Sequence, residues 1–141
     1  MSNLNERIQR WKGPAIWSLS SMLAAAFIVA GGAKIMMVDA MAANFARWNY
    51  PAWSMVALGV LEVANAALLL SRRYAFFGAF ALAVVMLGAY ATHIAHGELL
   101  HAFVPLALFA LLCIVALLRV PDDLRNWWHD RPGGSWHIEG V

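Results

Sequence analysis

The residue whose type and position most clearly suggest chemistry is Glu62, a carboxylate in the middle of an apolar run. The run occupies 51–70 and reads PAWSMVALGVLEVANAALLL, long enough to cross the hydrocarbon core of a bilayer as a helix. Counted from Pro51, Glu62 lies roughly 16 Å down that helix, near mid-bilayer depth. A charge there costs about 3 kcal/mol on a lenient insertion scale, so Glu62 should face a bundle interior or a wet cavity.

Two interpretations of Glu62 remain open at this point. It is either a structural carboxylate, protonated or paired, or part of a functional polar site, and the second is favoured because intramembrane ionisable residues are usually functional. Asn65 follows at i+3 and Gly59 precedes by about one turn, so both share a face with Glu62. We predict that Asn65 and Gly59 help to bind a ligand.

A second set of candidate residues lies on the third apolar stretch. Met86, Tyr90 and His93 recur at i, i+4 and i+7, which places them on one helical stripe. We predict that Met86 and Tyr90 also contact a ligand and that His93 handles protons together with Glu62. Imidazole titrates near neutral pH and is suited to that task.

The histidines His93, His96 and His101 admit three interpretations. They are ligands of a metal or haem together with Glu62, proton-exchanging groups, or polar groups that meet water at the membrane face. An HxxH spacing is a weak motif and Glu62 lies deeper, so we predict no metal site and keep the three histidines only as weak candidates.

Lys34 ends the first apolar span. We expect it to extend along its own stem to the interface rather than to pair with Glu62, because the vertical gap estimated from helical rise is roughly 10 Å. If the site is functional, Lys34 joins Glu62 and His93 as a candidate catalytic, proton-handling group.

The composition of the chain predicts the elements that must position these residues. Among its 141 residues 62% are hydrophobic, and a mean hydropathy of +0.65 indicates an integral membrane protein. The net charge of +2 comes without a basic patch, so nucleic acid is not expected as a partner. A single cysteine, Cys113, excludes an intrachain disulfide and a thiolate cluster.

Four apolar spans are predicted, at about 15–37, 51–70, 74–95 and 102–118, within a membrane domain of 15–120. The first is too long for the apolar segment of a signal peptide, so we expect it to remain as a span. Residues 1–14 are a predicted cytoplasmic segment, 38–50 a loop, and 121–141 a cytoplasmic interfacial helix (122–130) followed by a tail.

The basic residues indicate an orientation. Nearly all fall on one side of the predicted spans: Arg7, Arg10, Lys12, Arg72, Arg73, Arg119, Arg125 and Arg131. The positive-inside rule then favours an all-α, antiparallel four-helix transmembrane bundle with both termini in the cytoplasm. We expect a multi-pass protein of the bacterial cytoplasmic (inner) membrane.

Several spaced motifs resemble one family. They are F-x3-G-G-x-K from Phe27 to Lys34, Tyr50-Pro51, Gly59-x2-Glu62, Gly78-Ala79, and Met86-Leu87-Gly88-Ala89 leading to Thr92-His93. Together they resemble the DoxX-like family of small four-helix membrane proteins, over roughly 20–120. The positions that recur in that family fall here on Gly32, Lys34, Pro51, Gly59, Glu62, Ala89 and His93.

The resemblance implies a link to thiosulfate:quinone oxidoreductase and to membrane oxidoreductase complexes. One hypothesis is therefore a redox-linked, quinone-interacting subunit whose partners are the lipid bilayer and an oxidoreductase subunit or a second copy. The alternative is a non-catalytic anchor, assembly factor or module that binds a lipid-like ligand. Whether the protein is an enzyme stays open, and quinone is a candidate cofactor although the chain has no cofactor-binding motif.

Overall fold

A computed structural model describes residues 2–121 and Leu124, with side chains from residue 13 onward. Within these residues the regular elements are all α-helices: α1 (Ser2–Ile35), α2 (Asp39–Arg47), α3 (Ala52–Leu69), α4 (Ala75–Ala95) and α5 (Leu99–Leu118). Four segments are long and apolar enough to span a membrane, namely Gly13–Ile35 of α1 and the whole of α3, α4 and α5. The predicted all-α, four-helix transmembrane bundle is confirmed.

The segment between the first two spans differs from its prediction. Residues 38–50 were predicted to be a loop, which is wrong, because Asp39–Arg47 form the helix α2. The helix is short, carries Asp39 in its first turn and Arg47 in its last, and buries Phe45. Those terminal charges complement the helix dipole, but nine residues are too few to register as a span. The predicted interfacial helix at 122–130 lies outside the described residues except for Leu124.

The four spans form a ring in the order α1, α3, α4, α5, which is closed by a lighter contact between α5 and α1. The spans α1 and α3 are antiparallel, since Gly31 faces Glu62 and Val63 while Ile35 faces Gly59. The core between them combines large apolar side chains with alanines, and its most buried members include Leu69, Leu82, Leu112 and Val115. Since lipid tails are as apolar as leucine, close packing rather than water exclusion stabilises such an interface.

Glycine permits the closest approach in the bundle, between α1 and α3. A Cβ atom placed on Gly59 would lie 2.6 Å from the carbonyl oxygen of Gly31, and one on Gly31 would lie 2.7 Å from that of Gly59. The obstructing atoms are backbone atoms, which cannot move without moving a helix. The two helices therefore touch along their backbones, and any side chain at either position forces them apart.

This contact generates a prediction about Gly59→Ala. Overpacking of this kind costs about 1–3 kcal/mol, so we expect the substitution to lower the unfolding midpoint of the purified protein in detergent. Gly32→Ala is a matched control, because a Cβ there meets no atom within 4 Å. Alanine has a higher helix propensity than glycine, so Gly32→Ala should leave the stability equal or slightly raised. Equal effects of the two substitutions would contradict the proposed role of the backbone contact.

Candidate functional site

An ion pair joins α1 to α3 within the bundle. Lys34 donates from Nζ to Oε2 of Glu62 at 2.7 Å, and the two side chains are 14% and 2% exposed. The prediction that Lys34 extends to the interface without pairing with Glu62 is therefore wrong. Glu62 is buried, as expected of a carboxylate that faces the bundle interior.

The error arose from the assumed level of Lys34 relative to α3. Lys34 lies beside Gly59, since a Cβ on Gly59 would be 2.9 Å from the Cβ of Lys34. That position is about two turns into α3, roughly 10 Å below its first residue. Helical side chains lean towards the N-terminus of their own helix, and α1 and α3 are antiparallel. Lys34 and Glu62 therefore lean towards each other across a single turn.

Two adjoining cavities meet at this ion pair. One, of about 460 Å³, includes Asn44 and Phe45 of α2 and is called the α2 lobe. The other, of about 290 Å³, includes Pro105 and Leu108 of α5 and is called the α5 lobe. Six residues line both lobes: Lys34, Met41, Glu62, Met86, Ala89 and His93. The lobes thus form one site that is largely apolar and contains a few convergent polar groups, as ligand sites usually do.

His93 connects the site to the loop between α4 and α5. Its Nδ1 donates to Oε2 of Glu98 at 2.7 Å, while Arg47 contacts Oε1 of Glu98 at 2.6 Å. Trp48 donates from Nε1 to the same oxygen at 3.3 Å. With Nδ1 occupied as a donor, Nε2 of a neutral His93 is free to accept a proton.

The carboxyl of Glu98 is stabilised as an anion by these contacts. The hydrogen bond from His93 is the largest cause and lowers the pKa of Glu98, burial opposes it, and the hydrogen bond from Trp48 and the charge of Arg47 lower the pKa further. Since a lowered pKa favours the charged form in the folded state, the contribution of Glu98 is present at neutral pH. It is lost as the pH falls through that lowered value.

Aromatic side chains cover the site from the side of α2. The ring of Trp48 meets that of His93 edge to face, with centroids 5.1 Å apart. Tyr50 and Thr92 share a hydrogen bond between their hydroxyls at 3.1 Å, and Phe45 packs against both Trp48 and Tyr50. Helix α2 and the residues after it therefore form one wall of the α2 lobe.

The structure brings together some of the predicted site residues and separates others. Lys34, Glu62, His93 and Met86 line both lobes. The other three predicted ligand contacts lie outside the lining of either lobe: Asn65, Tyr90 and Gly59. Asn65 donates to the carbonyl of Leu61 in its own helix at 2.8 Å, and Gly59 is taken up by the contact between α1 and α3.

The three histidines do not form a ligand set. His101 stacks on His93 with ring centroids 6.0 Å apart, and His96 donates from Nδ1 to the carbonyl of Thr92 at 2.8 Å. In the part of the chain that the structure describes, no group of three or more His, Cys, Asp or Glu residues is placed to hold a metal ion.

Sequence reasoning missed the contribution of Glu98, Trp48 and α2 to this site. Glu98 follows His93 across a turn in which Gly97 has a φ of 72°, and its backbone N–H donates to the carbonyl of His93 at 2.9 Å. An acidic residue so close after a histidine at a helix end was the available signal. Trp48 is distant in sequence from both His93 and Glu98, and no spacing pattern links it to them.

Comparison with known proteins identifies the family of the chain. The model of the DoxX-like family matches residues 18–115. The chain belongs to the DoxX-like family. The uncharacterized protein YdgD of Bacillus subtilis (strain 168) is 32% identical to this DoxX-like protein over 100 residues, covering 68% of this chain and 86% of the relative. No solved structure matches the chain.

The family match confirms the resemblance inferred from the spaced motifs, and it includes every residue that lines both lobes. This DoxX-like protein is therefore a multi-pass membrane protein whose helices contact the lipid bilayer.

The ion pair generates a prediction that a double-mutant cycle can check. Removing one partner of a buried pair typically costs about 3–5 kcal/mol, whereas replacing both with apolar residues is often neutral. We expect Lys34→Met and Glu62→Met each to destabilise this DoxX-like protein, and the double variant to recover most of the loss. The measurement is the free energy of unfolding in detergent for the four proteins. Losses that simply add would contradict a direct interaction.

Proposed function

We propose that this protein binds a quinone-like molecule in its two-lobed cavity and acts as a redox-linked component of a membrane oxidoreductase system. The observation that carries this proposal is the convergence of Lys34, Glu62 and His93 on one cavity in an otherwise apolar bundle. Three groups that donate, accept or exchange protons suit a ring whose oxygens gain and lose protons.

The shape and lining of the cavity fit a ring with an apolar tail. Its lobes, of about 460 Å³ and 290 Å³, are in the usual size range of small-molecule sites. Lys34 offers donors to a ring carbonyl oxygen, and the aromatic rings of the α2 lobe offer stacking surfaces. The α5 lobe includes Val104, which is 63% exposed on the lipid-facing surface, so a tail can leave by that route.

The chemistry of the ring defines what the residues must do. Reduction of a quinone to its hydroquinone takes up two electrons and two protons. His93 can pass protons between the ring and Glu98, which lies at the end of the bundle and also contacts the exposed Arg47. The electrons come from a partner oxidoreductase or its cofactor, since this chain carries no cofactor-binding motif.

A non-catalytic function is the second candidate, and one specific observation favours it. Lys34 and Glu62 satisfy each other at 2.7 Å, which is what a structural link between α1 and α3 requires. In that case the cavity holds a lipid-like molecule, or the protein serves as an anchor or assembly factor, and the pair only fixes helix packing.

The orientation of the protein belongs to the same proposal. We propose that both termini face the cytoplasm of a bacterial cell, so that the cavity opens towards the outer side of the cytoplasmic membrane. Arg72, Arg73 and Arg119 lie at the opposite end of the bundle from the cavity, where the positive-inside rule places cytoplasmic charge.

Direct binding distinguishes the two functions. A short-tailed benzoquinone added to the protein in lipid nanodiscs should bind, as followed by isothermal titration calorimetry. Glu62→Gln keeps an acceptor for Lys34 and should fold, yet it should bind about tenfold more weakly, a loss of about 1.4 kcal/mol. His93→Gln should show a similar loss, and the double variant no further loss, because the proposal has both residues act as one proton-handling unit.

Tyr90→Phe is the control for that experiment, because Tyr90 lies outside the lining of either lobe. It should bind the benzoquinone as the natural protein does. Unchanged affinity in Glu62→Gln, or a natural protein that retains lipid but never the benzoquinone, would favour the non-catalytic function.

The orientation is checked with a reporter that is active only in the cytoplasm. Fused at Arg72, in the turn between α3 and α4, it should give a signal. Fused at Glu98, in the turn between α4 and α5, it should give none. The reverse pattern would invert the topology and place the cavity on the cytoplasmic side.

A further inference from the structure

Three arginines converge at the end of the bundle opposite the cavity. Arg72 and Arg73 lie in the turn between α3 and α4, and Arg119 follows the end of α5. Together with Val120 and Pro121 they line a depression of about 390 Å³. None of them lines the two-lobed cavity, so this site is separate from the proposed quinone site.

Trp17 of α1 holds two of the arginines in position. The guanidinium carbon of Arg119 lies 4.6 Å from the centroid of the Trp17 ring, and that of Arg72 lies 5.7 Å from the same ring. Arg73 is placed in the same way over the ring of Tyr74, at 5.6 Å. Such cation–π contacts are each worth about 0.5–1 kcal/mol at exposed sites. The guanidinium groups are thus partly ordered before any ligand arrives, which lowers the entropic cost of binding.

The site has an excess of positive charge. The C-termini of α3 and α5 and the N-terminus of α4 lie here. Their dipoles together contribute only about half a negative charge, against three full positive charges on the arginines. The ion pairs that the structure shows among the described residues involve none of the three arginines. Burial and the nearby charge of Arg72 both lower the pKa of Arg119. Both effects disfavour the charged guanidinium group when no anion is bound.

The requirements of membrane topology do not by themselves account for this arrangement of arginines. The positive-inside rule needs only basic residues on one side of the membrane, and flexible side chains that point into water satisfy it. Here side chains from two separate connections gather over one aromatic ring despite mutual repulsion. Planar guanidinium groups match the oxygens of a phosphate with paired hydrogen bonds, which a single lysine cannot do.

We propose that Arg72 and Arg119, held by Trp17, and Arg73, held by Tyr74, bind one phosphate group. Phosphate is the chemistry shared by the headgroup of an anionic phospholipid and a soluble phosphate, and tryptophan commonly lies at headgroup depth. Asp122 and Asp123 follow Pro121 in the sequence. Their carboxylates are the competing anions that an experiment must exclude.

Binding is tested on the full chain, purified in a neutral detergent and analysed by native mass spectrometry. Short-chain phosphatidylglycerol and inorganic phosphate are added in separate arms. The lipid retained at one molecule per chain, without competition from millimolar phosphate, identifies a headgroup site. Competition by phosphate identifies a site open to the soluble anion. Retention of neither by the natural protein overturns the proposal.

Substitutions test whether these arginines bind the phosphate or the lipid. Arg119→Gln and Arg72→Gln should each weaken phosphate or lipid binding at least tenfold, and Arg119→Lys should weaken it less than Arg119→Gln. Arg47→Gln removes the same charge at the other end of the bundle and should leave this binding unchanged. Equal losses in Arg47→Gln and Arg119→Gln would reduce the effect to net charge and overturn the proposal.

A combined variant, Asp122→Asn with Asp123→Asn, excludes the competing carboxylates. Binding that appears only in this variant would mean that the chain's own carboxylates occupy the arginines, which also overturns the proposal. Thermal unfolding of each variant is measured in parallel. If Arg119→Gln fails to fold, the decision rests on Arg72→Gln, whose side chain is exposed. Failure of this site leaves the quinone experiment unaffected, because the two sites share no residue.

Discussion

The backbone contact between Gly31 and Gly59 determines where the polar groups of this protein lie. It brings α1 and α3 close enough for Lys34 and Glu62 to meet at 2.7 Å, although the two residues belong to different spans and different turns. Larger residues at the crossing would separate the helices and leave a carboxylate in the membrane interior without a cation, which is costly. The cavity exists beside the pair because the helices touch at this level and α2 covers the space next to it.

A buried ion pair can stabilise a helix contact and still serve a ligand. The ammonium group of Lys34 has three N–H donors, and Glu62 uses one of them, so others remain for a carbonyl oxygen in the cavity. The pair is neutral as a whole, which limits the cost of keeping it in an apolar bundle. A ligand therefore does not have to break the pair in order to be recognised, and a stabilising function and a binding function are compatible in the same two residues.

The sequence was sufficient for features that depend on local composition. Apolar length predicted the four spans, and polar exceptions within them identified Glu62 and His93, which do line one site. Features that depend on the relative level of two helices were missed. Lys34 was placed at the interface because helical rise within one span says nothing about how far α1 overlaps α3. Glu98 was overlooked because two of its partners, Arg47 and Trp48, lie at the end of α2, about 50 residues earlier in the chain.

The two ends of the bundle handle charge in opposite ways, and this difference bears on function. Near the cavity each buried or half-buried carboxylate has a cation: Glu62 has Lys34, and Glu98 has Arg47. Paired charges of this kind can lie in an otherwise apolar bundle and shape a site there. At the other end the arginines around Trp17 gather without a carboxylate among the described residues. Basic residues gathered at one end of a bundle are what the positive-inside rule uses to orient a membrane protein. The proposed orientation rests on this end of the bundle, whereas the proposed binding rests on the other.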